Sequence, residues 1–225
     1  MVDKKIMALM PMKGNSERVP NKNLRQFDGH PLYHAMINVL RKSKYISGIY
    51  INTDSQNISD DVNRNFPDVH IIDRPEELLG DFVSMNKIID YDLSQIDSEF
   101  FLQTHSTNPL LSVKTLDAAI EYYFNNLDKY DSVFSVTRWQ TRLYWEDVSP
   151  INHDPKELIR TQDLTPVYEE NSNFFLFTKK SFANASEKRI GLNPGMFTVN
   201  KIEALDIDEE EDFLIAEQLF KAKFK

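Results

Sequence analysis

The chain has 225 residues, of which 41% are hydrophobic and 27% are charged, and its formal net charge is -9 at pH 7. This length and composition fit one α/β domain with a buried core, so we predict a single domain over residues 1–225. The absence of cysteine excludes disulfides and thiolate metal sites. The acidic balance, with no long basic stripe, argues against nucleic acid as a partner.

Membrane association is not expected either. No apolar run approaches the roughly 20 residues of a membrane-spanning helix, and the N-terminus lacks the apolar core of a signal peptide. We therefore expect a cytoplasmic protein without a membrane segment.

A short apolar run at residues 6–12 predicts a first strand that is buried on both faces. The loop behind it carries one acid, Glu17, against the basic residues Lys13, Arg18, Lys22 and Arg25. Gly14 and Asn15 are able to take the left-handed conformations that a sharp turn needs. A cationic loop after the first strand is where open α/β sheets bind phosphate groups, although a solvated basic loop is the alternative.

Hydrophobic periodicity predicts further strands and helices behind this loop. The predicted strands cover residues 49–54, 69–72, 99–103, 131–136 and 173–177. The predicted helices cover residues 31–42, 84–89, 114–124 and 213–220. Strands that alternate with helices are typical of α/β proteins, so we predict a mostly parallel sheet flanked by helices.

Residues 138–172 differ from the rest of the chain in composition and in hydrophobic pattern. Aromatic residues and prolines are scattered there among charges, without a sustained helical period. We predict a protruding, β-rich arm whose aromatic residues are typical of an interface. Its arginines Arg138, Arg142 and Arg160 are candidates to hold a carboxylate, because the guanidinium fork matches two carboxylate oxygens.

Asp206 and Asp208 alternate in a segment that we predict to be extended, so their side chains point to the same side. Two carboxylates on one side suit a hard cation such as Mg²⁺, which keeps several waters and bridges to phosphate oxygens. An acidic helix start is the alternative explanation, because the dipole of a helix favours acids in its first turn.

The sequence of residues 13–24, KGNSERVPNKNL, resembles the nucleotide-binding signature of the acidic-sugar cytidylyltransferases, which include the CMP-sialic acid and CMP-Kdo synthetases. The resemblance implies that this loop wraps the triphosphate of CTP, that Lys22 supports transfer at the α-phosphate, and that Lys13 and Arg18 offset phosphate charge. The other nucleotide contacts it implies in the loop are Gly14, Asn15, Ser16 and Asn23. Lys13 stands where arginine is usual, which keeps the charge but loses the planar fork.

Motifs further along the chain resemble the same family less closely. They imply that Asp54, Arg74 and Ser84 border the nucleotide. Each has a structural alternative, which is helix capping for Asp54 and Ser84 and a surface ion pair with a neighbouring glutamate for Arg74. Gln103, at a strand end, suits a hydrogen bond to the base, to the sugar or to loop backbone. Leu111 replaces an arginine of the family motif.

The segment Asp206-Ile207-Asp208 closely resembles the ending of the sialate synthetases, and it implies Mg²⁺ as a cofactor. The resemblance further implies a Rossmann-like fold in which residues 138–172 form the contact of a homodimer and reach towards the partner's sugar pocket. The contacts it implies for the acidic sugar are Arg138, Arg142, Arg160, Gln103 and Asn171.

Together these features predict a Mg²⁺-dependent cytidylyltransferase that joins CTP to the anomeric hydroxyl of a nonulosonic acid, an acidic nine-carbon sugar, and releases pyrophosphate. A CMP-Kdo-type or other sugar nucleotidyltransferase and a nucleotide-sugar-dependent glycosyltransferase, which can also use an Asp-x-Asp metal site, remain alternatives. An inactive binding protein is a third alternative, because Lys13 and Leu111 depart from the family pattern. The sequence does not name the sugar, and no residue in it stands out as a general base.

Overall fold

The computed structural model describes residues 5–16, 18–80 and 82–224. Its strands are β1 (Ile6–Leu9), β2 (Gln26–Phe27), β3 (His30–Pro31), β4 (Ile46–Thr53), β5 (His70–Asp73), β6 (Phe100–Thr104), β7 (Ser132–Trp139), β8 (Val167–Thr178) and β9 (Pro194–Val199). Its α-helices are α1 (Tyr33–Lys42), α2 (Gln56–Asn65), α3 (Met85–Gln95), α4 (Val113–Asn125), α5 (Lys179–Asn184) and α6 (Glu210–Phe224). None of the helices described is long and apolar enough to cross a membrane.

Among the described residues, seven strands form one sheet in the order β5-β4-β1-β6-β8-β7-β9. β1 pairs in parallel with β4 and β6, β4 with β5, and β7 with β9. Only β8 runs antiparallel to its neighbours, β6 and β7. The predicted mostly parallel sheet is therefore confirmed, and the carboxyl ends of its parallel strands meet at one edge.

Helices cover both faces of this sheet. Successive residues of β6, Phe101 and Leu102, belong to two different apolar clusters, as the alternation of side chains along a strand requires. Helices α1, α2 and α4 contribute to the cluster of Leu102, and helices α3 and α5 contribute to the cluster of Phe101. The central strands are thus buried on both faces, as their short continuous apolar runs predict.

A third apolar cluster brings the two ends of the chain together. Phe27 in the β2–β3 hairpin packs edge-on against Phe213 of α6, with ring centroids 5.6 Å apart. Ile207 is fully buried in the same cluster, so the flanking Asp206 and Asp208 point away from it. Helix α6 starts at Glu210, earlier than the predicted 213, with acids in its first turn where the helix dipole favours them.

A bulge interrupts the pairing of β7 with β8. Phe134 lies opposite Phe175, but Val136 lies opposite Glu170, so residues 171–174 face Ser135 alone. The hydroxyl of Ser135 accepts a hydrogen bond from the backbone of the bulged strand, at 3.0 Å from the Phe174 nitrogen. A bulge of this kind redirects the strand and its side chains.

The arm at residues 138–172 is less β-rich than predicted. Its strand residues are the ends of β7 and β8, and the residues between them hold only a 3-10 turn at Thr161–Asp163 and an isolated bridge between Tyr144 and Pro150. Side chains replace the missing strand ladder. The amide of Asn152 donates to the carbonyl oxygens of Thr141 and Thr165, at 2.8 and 2.9 Å. Backbone groups bonded by side chains do not need a partner strand.

Candidate active site

Many of the predicted site residues lie at the edge where the parallel strands end. A cavity of about 610 Å³ opens there between the loop of residues 13–24, the N-terminal part of α3 and the segment before α6. The polar and charged residues that line it include Lys13, Asn15, Ser16, Arg18, Lys22, Asn23, Arg74, His105, Asp206 and Asp208. We call this the first cavity, and it contains most of the predicted nucleotide contacts.

Lys22 connects the basic loop with the acidic segment. Its ammonium group donates to the carbonyl oxygen of Ile207 at 2.5 Å and lies 3.8 Å from the Asp208 carboxylate. The preceding residue, Asn21, has a left-handed backbone with φ 53°, and a single 3-10 turn at Lys22–Leu24 follows it. This tight turn fixes where the lysine leaves the backbone, and the Ile207 carbonyl fixes where its charge ends.

Gly14 is needed because the loop backbone passes close to Ser55, and not because the loop makes a left-handed turn there. Its backbone φ is not positive, which corrects the expectation for Gly14 and Asn15. Its N–H donates to Asp54 Oδ1 at 2.6 Å, and a Cβ on Gly14 would lie 2.7 Å from the Cβ of Ser55. Asp54 therefore anchors the loop, while the helix cap of α2 is Ser55 and not Asp54.

Asn23 ties the basic loop to the segment after β6. Its side-chain amide donates to the Lys13 carbonyl oxygen at 3.0 Å and accepts a hydrogen bond from the Ser106 hydroxyl at 2.7 Å. The residue is buried. Its side chain faces the protein more than the cavity, so Asn23 holds the loop in shape.

Arg74 is not a surface residue paired with a glutamate. It is 8% exposed, and its Nε donates to Asn52 Oδ1 at 2.7 Å. The terminal nitrogen NH2 donates to the carbonyl oxygens of Met12 and Asn52, at 3.2 and 3.0 Å. Burial lowers the pKa of Arg74, and the negative charges of Asp54 and Asp92 oppose that shift. A cation is therefore held in the wall of the first cavity.

Asp206 and Asp208 lie together in the first cavity, as the alternation predicted. Burial raises the pKa of Asp206, the Thr107 hydroxyl opposes the shift by a hydrogen bond, and the charge of Asp208 adds to it. Asp206 Oδ1 is buried without a hydrogen-bond partner. Arg18 NH2 donates to Asp208 at 2.6 Å, and Arg18 also reaches Glu209 at 3.3 Å.

These two carboxylates fit a magnesium ion better than a metal that needs an all-protein cage. Within the described residues there is no group of three or more histidine, aspartate or glutamate side chains that could hold a metal ion. Mg²⁺ is usually held by one or two carboxylates, with waters and substrate phosphates completing its octahedron. The unpartnered oxygen of Asp206 is an acceptor that such an ion would satisfy.

A second cavity of about 570 Å³ adjoins the first one. Ser172, Asp206 and Asp208 line both cavities, and the β7–β8 bulge brings Ser172 to this position. The other lining residues include Thr137, Trp139, Glu169, Glu170, Asn171, Lys201 and Asp212. The carboxylate pair thus stands at the junction of two cavities, where groups bound in each would meet.

Lys201 carries the only positive charge among the described residues that line the second cavity. Its ammonium group lies 3.9 Å from the centroid of the Trp139 ring. The indole N–H of Trp139 donates to Glu169 at 2.7 Å, which fixes the ring. The face of an aromatic ring attracts a cation, so Trp139 positions the lysine without neutralising it. Lys201 was not predicted from the sequence.

Asn171 also lines the second cavity, at the bulge. Its amide nitrogen donates to the Thr137 hydroxyl at 3.0 Å, and its oxygen accepts from the Asn173 backbone at 3.3 Å. The predicted residue is therefore at the site, where it holds the bulged backbone.

His105, which lines the first cavity, is another residue that sequence reasoning missed. Burial, and the positive charges of Arg189 and Lys22, lower its pKa to about 4. Its Nε2 is buried without a hydrogen-bond partner. A neutral imidazole therefore lines the first cavity. Its position directly after the β6 strand was the only sequence signal available.

Two predicted contacts have other partners. Gln103 is fully buried and lines neither cavity, and its oxygen accepts from Arg189 at 2.5 Å while its nitrogen donates to the Thr104 carbonyl at 2.8 Å. The bond to the Thr104 carbonyl is the structural alternative given for Gln103, and a contact with a ligand stays a prediction. Ser84 caps α3 by accepting from the Asn86 N–H, as its structural alternative predicted. It follows Val83, which does line the first cavity.

The three arm arginines line neither cavity. Arg138 donates to Gln140 at 2.8 Å, Arg142 donates to the Ile159 carbonyl oxygen at 2.5 Å, and Arg160 pairs with Asp163 at 2.7 Å. All three partners belong to the arm itself. A contact of these arginines with a sugar stays a prediction.

Comparison with known proteins finds matches along nearly the whole chain. A family model described as cytidylyltransferase matches residues 7–223. The N-acylneuraminate cytidylyltransferase A of Danio rerio is 27% identical over 221 residues, which are 95% of this chain and 50% of that protein. The chain spans about half the length of this and other N-acylneuraminate cytidylyltransferases that it matches.

Other relatives match over nearly their full length. The pseudaminic acid cytidylyltransferase of Campylobacter jejuni is 24% identical over 230 residues, covering 96% of this chain and 97% of that protein. The CMP-N,N'-diacetyllegionaminic acid synthase of Legionella pneumophila is 26% identical over 234 residues, covering 96% of this chain and 97% of that protein.

Solved structures confirm the Rossmann-like fold. A CMP:2-keto-3-deoxy-manno-octonic acid synthetase complexed with CTP superposes with a TM-score of 0.76 at 10% identity, over 98% of this chain and 100% of that one. The 4-diphosphocytidyl-2C-methyl-D-erythritol synthase of Anaerococcus prevotii gives a TM-score of 0.67 at 14% identity, over 98% of each chain.

Proposed function

Because this chain belongs to the cytidylyltransferase family, we propose that it transfers CMP from CTP to the anomeric hydroxyl of a nonulosonic acid and releases pyrophosphate. One observation carries the proposal. The basic loop and the carboxylate pair, distant in sequence, converge on one cavity, with Lys22 3.8 Å from Asp208. Three relatives are named as cytidylyltransferases or CMP-sugar synthases for acylneuraminic, pseudaminic and legionaminic acids. All three of these acids are nonulosonic acids.

In this proposal the nucleotide occupies the first cavity. Its cationic lining, Lys13, Arg18, Lys22 and Arg74, suits a triphosphate, whose charge is spread over many oxygens. The sugar occupies the second cavity. The α-phosphate then lies at the junction formed by Ser172, Asp206 and Asp208, which is where groups from the two cavities meet.

The transfer is an in-line displacement. The anomeric oxygen forms a bond to the α-phosphorus while the bond from that phosphorus to the bridging oxygen breaks, and pyrophosphate leaves with the electron pair. The hydroxyl proton passes to solvent water. In such reactions the protein mainly positions the groups and offsets charge. Lys22, held by the Ile207 carbonyl, is placed to offset charge that develops on the phosphate.

Asp206 and Asp208 would hold Mg²⁺ in this proposal. When bound, the ion would offset phosphate charge and orient the triphosphate. The chain's own contribution is to keep both carboxylates at the junction through the buried Ile207 between them. Arg18, which pairs with Asp208, lies in the first cavity where it could exchange that partner for a phosphate.

A pyrophosphate-release assay tests the proposed function. The protein is incubated with Mg²⁺, with CTP or each of the other nucleoside triphosphates, and with acylneuraminic, pseudaminic, legionaminic and Kdo acids. Release that needs CTP and a nonulosonic acid supports the proposal, and the product mass identifies the sugar. Release with Kdo alone would assign the chain to a neighbouring activity instead.

A glycosyltransferase is the alternative from another class, because an Asp-x-Asp pair also serves nucleotide-sugar enzymes. Consumption of a UDP-sugar onto an acceptor, without pyrophosphate release from CTP, would select it. Binding of CTP with no turnover of any acid would indicate an inactive binding protein.

We also propose that the arm mediates a homodimer. Tyr144 and Trp145 of the arm are 50% and 64% exposed, and aromatic residues of this kind are enriched at interfaces. Light scattering after size exclusion would measure twice the chain mass, and substitution of Trp145 by serine should shift the species towards the monomer.

A further inference from the structure

A buried carboxylate on α3 lies behind the wall of the first cavity. Asp92 is 1% exposed, and its Oδ1 accepts a hydrogen bond from the side-chain nitrogen of Asn52 at 2.6 Å. Asn52, on β4, is itself fully buried. Neither residue was expected to matter from the sequence, and neither lines the first or the second cavity.

Asn52 joins this carboxylate to Arg74. Its side-chain oxygen accepts from Arg74 Nε at 2.7 Å, while its nitrogen serves Asp92. Arg74 also donates to the Met12 carbonyl oxygen at 3.2 Å, directly before the basic loop. The amide is thus oriented at both ends, with its donor towards the anion and its acceptor towards the cation. Reversing that amide would place two donors or two acceptors against each other.

The same helix also contacts the cavity. Ile88 lines the first cavity and lies four residues before Asp92, so the two side chains are on one face of α3. Met85, at the start of the helix, lines the cavity as well. Helix α3 therefore touches the nucleotide site directly and reaches Arg74 through Asn52.

Asp92 is a carboxyl group held away from water, and burying such a group costs free energy unless it is hydrogen-bonded. Burial raises the pKa of Asp92 to about 7, although the Asn52 hydrogen bond and the charge of Arg74 oppose the shift. Replacing buried charged groups by apolar ones of similar size is often neutral or stabilising. The hydrogen bonds that join Asp92 to Arg74 through Asn52 suggest a role for this carboxyl group, which is to set the position of Arg74.

We propose that Asp92 is a positioning residue, which through Asn52 holds the Arg74 guanidinium against the Met12 carbonyl and thereby sets the affinity of the first cavity for the triphosphate of CTP. This inference rests on the proposed function, because it takes the first cavity to be the nucleotide site. It adds a residue outside the cavity to the set that determines nucleotide binding.

A double-mutant cycle tests this inference. The variants are Asp92→Asn, which keeps size and removes the charge, Arg74→Met, and both together, and calorimetry measures CTP affinity in each. At about pH 8, where Asp92 is mostly ionised, Asp92→Asn should weaken CTP binding by about tenfold in the wild-type background, because hydrogen bonds to charged groups are stronger than those to neutral ones. In the Arg74→Met background the same change should alter affinity by less than about twofold, because its target is gone.

Asp90→Asn is the matched control. Asp90 is exposed on the same helix and lines neither cavity of the site, so CTP affinity should not change. The Michaelis constant for CTP should follow the affinity in Asp92→Asn, with kcat changed less. If Asp92→Asn does not fold, Asp92→Ser is measured in the same two backgrounds.

Two results would overturn the inference. Equal losses of CTP affinity in the wild-type and Arg74→Met backgrounds would show that Asp92 does not act through Arg74. An unchanged affinity together with a changed melting temperature would reduce Asp92 to a structural residue. If the wild-type chain does not bind CTP, the proposed function fails first and takes the inference with it.

Discussion

Lys22 donates to the carbonyl oxygen of Ile207, a residue 185 positions further along the chain, at a distance of 2.5 Å. The contact brings a lysine of the first loop to the carboxylate segment before the last helix. Because Ile207 is anchored in an apolar cluster, its carbonyl oxygen holds the ammonium group in a fixed position. Fixed charges of this kind are what a phosphoryl transfer requires from a protein.

Replacing Lys22 by methionine should lower turnover far more than stability. The side chain keeps most of its length but loses the charge and the donor, and one preorganised donor of this kind is worth about 100-fold in kcat. Pyrophosphate release and thermal unfolding measure the two effects. Lys129→Met, at an exposed position outside both cavities, is the matched control. Comparable losses of turnover and stability in Lys22→Met would make Lys22 a structural residue.

Asp206→Asn should raise the Mg²⁺ concentration needed for half-maximal turnover by at least about tenfold, because a neutral amide is a weaker ligand for a hard cation. Titration of Mg²⁺ in the pyrophosphate assay measures it, and chelation of the ion should stop the wild-type reaction. Glu211→Gln removes an acid from the first turn of α6 and should leave the titration unchanged. A wild-type rate that is insensitive to chelation would contradict the proposed cofactor.

Gly14→Ala should weaken CTP binding, because the new Cβ would meet the Cβ of Ser55 at 2.7 Å and displace the loop from Asp54. Removing the Ser55 Cβ should restore binding, so the double variant Gly14→Ala with Ser55→Gly is the internal control. It should recover CTP affinity and lose some stability, because Ser55 caps α2. Failure of the double variant to recover would show that the close approach is not what Gly14 provides.

The parts of the site that could be predicted from the sequence are those marked by a pattern of neighbouring residues. The apolar runs identify the strands, and the ending Asp206-Ile207-Asp208 combines an alternation with a buried centre. The bond between Asn52 and Asp92 could not be predicted, because it depends on how α3 packs against β4. Gln103 has the residue type expected of a ligand contact, yet the packing of Arg189 against it takes its oxygen. The hydrophobic pattern also does not predict the backbone conformation of a single loop residue, such as the left-handed conformation of Asn21.

Stability should depend on pH through Asp92. Its pKa in the folded chain is about 7 and lies above the ordinary value of 3.8, so the folded state binds more protons than the unfolded state between these values. Stability therefore falls as pH rises through this window. The free energy of unfolding of Asp92→Asn minus that of wild type should therefore be larger at about pH 8 than at about pH 5. Chemical denaturation at the two pH values measures this difference. A difference that does not change with pH would contradict this.

Lys201→Met should raise the Michaelis constant for the acidic sugar by about tenfold and leave that for CTP unchanged, because a charge-assisted bond to the sugar carboxylate would be lost. The methyl ester of the same acid, which lacks that charge, should be used equally well by wild type and variant. If the variant loses as much with the ester as with the acid, Lys201 does not read the carboxylate.

The most direct test is a crystal structure of the protein with CTP and Mg²⁺. It should show the α-phosphate at the junction of the two cavities, with Lys22 on one side and an ion bound to Asp206 and Asp208 on the other. A triphosphate bound away from Lys22, or an ion that does not touch the two aspartates, would contradict the account.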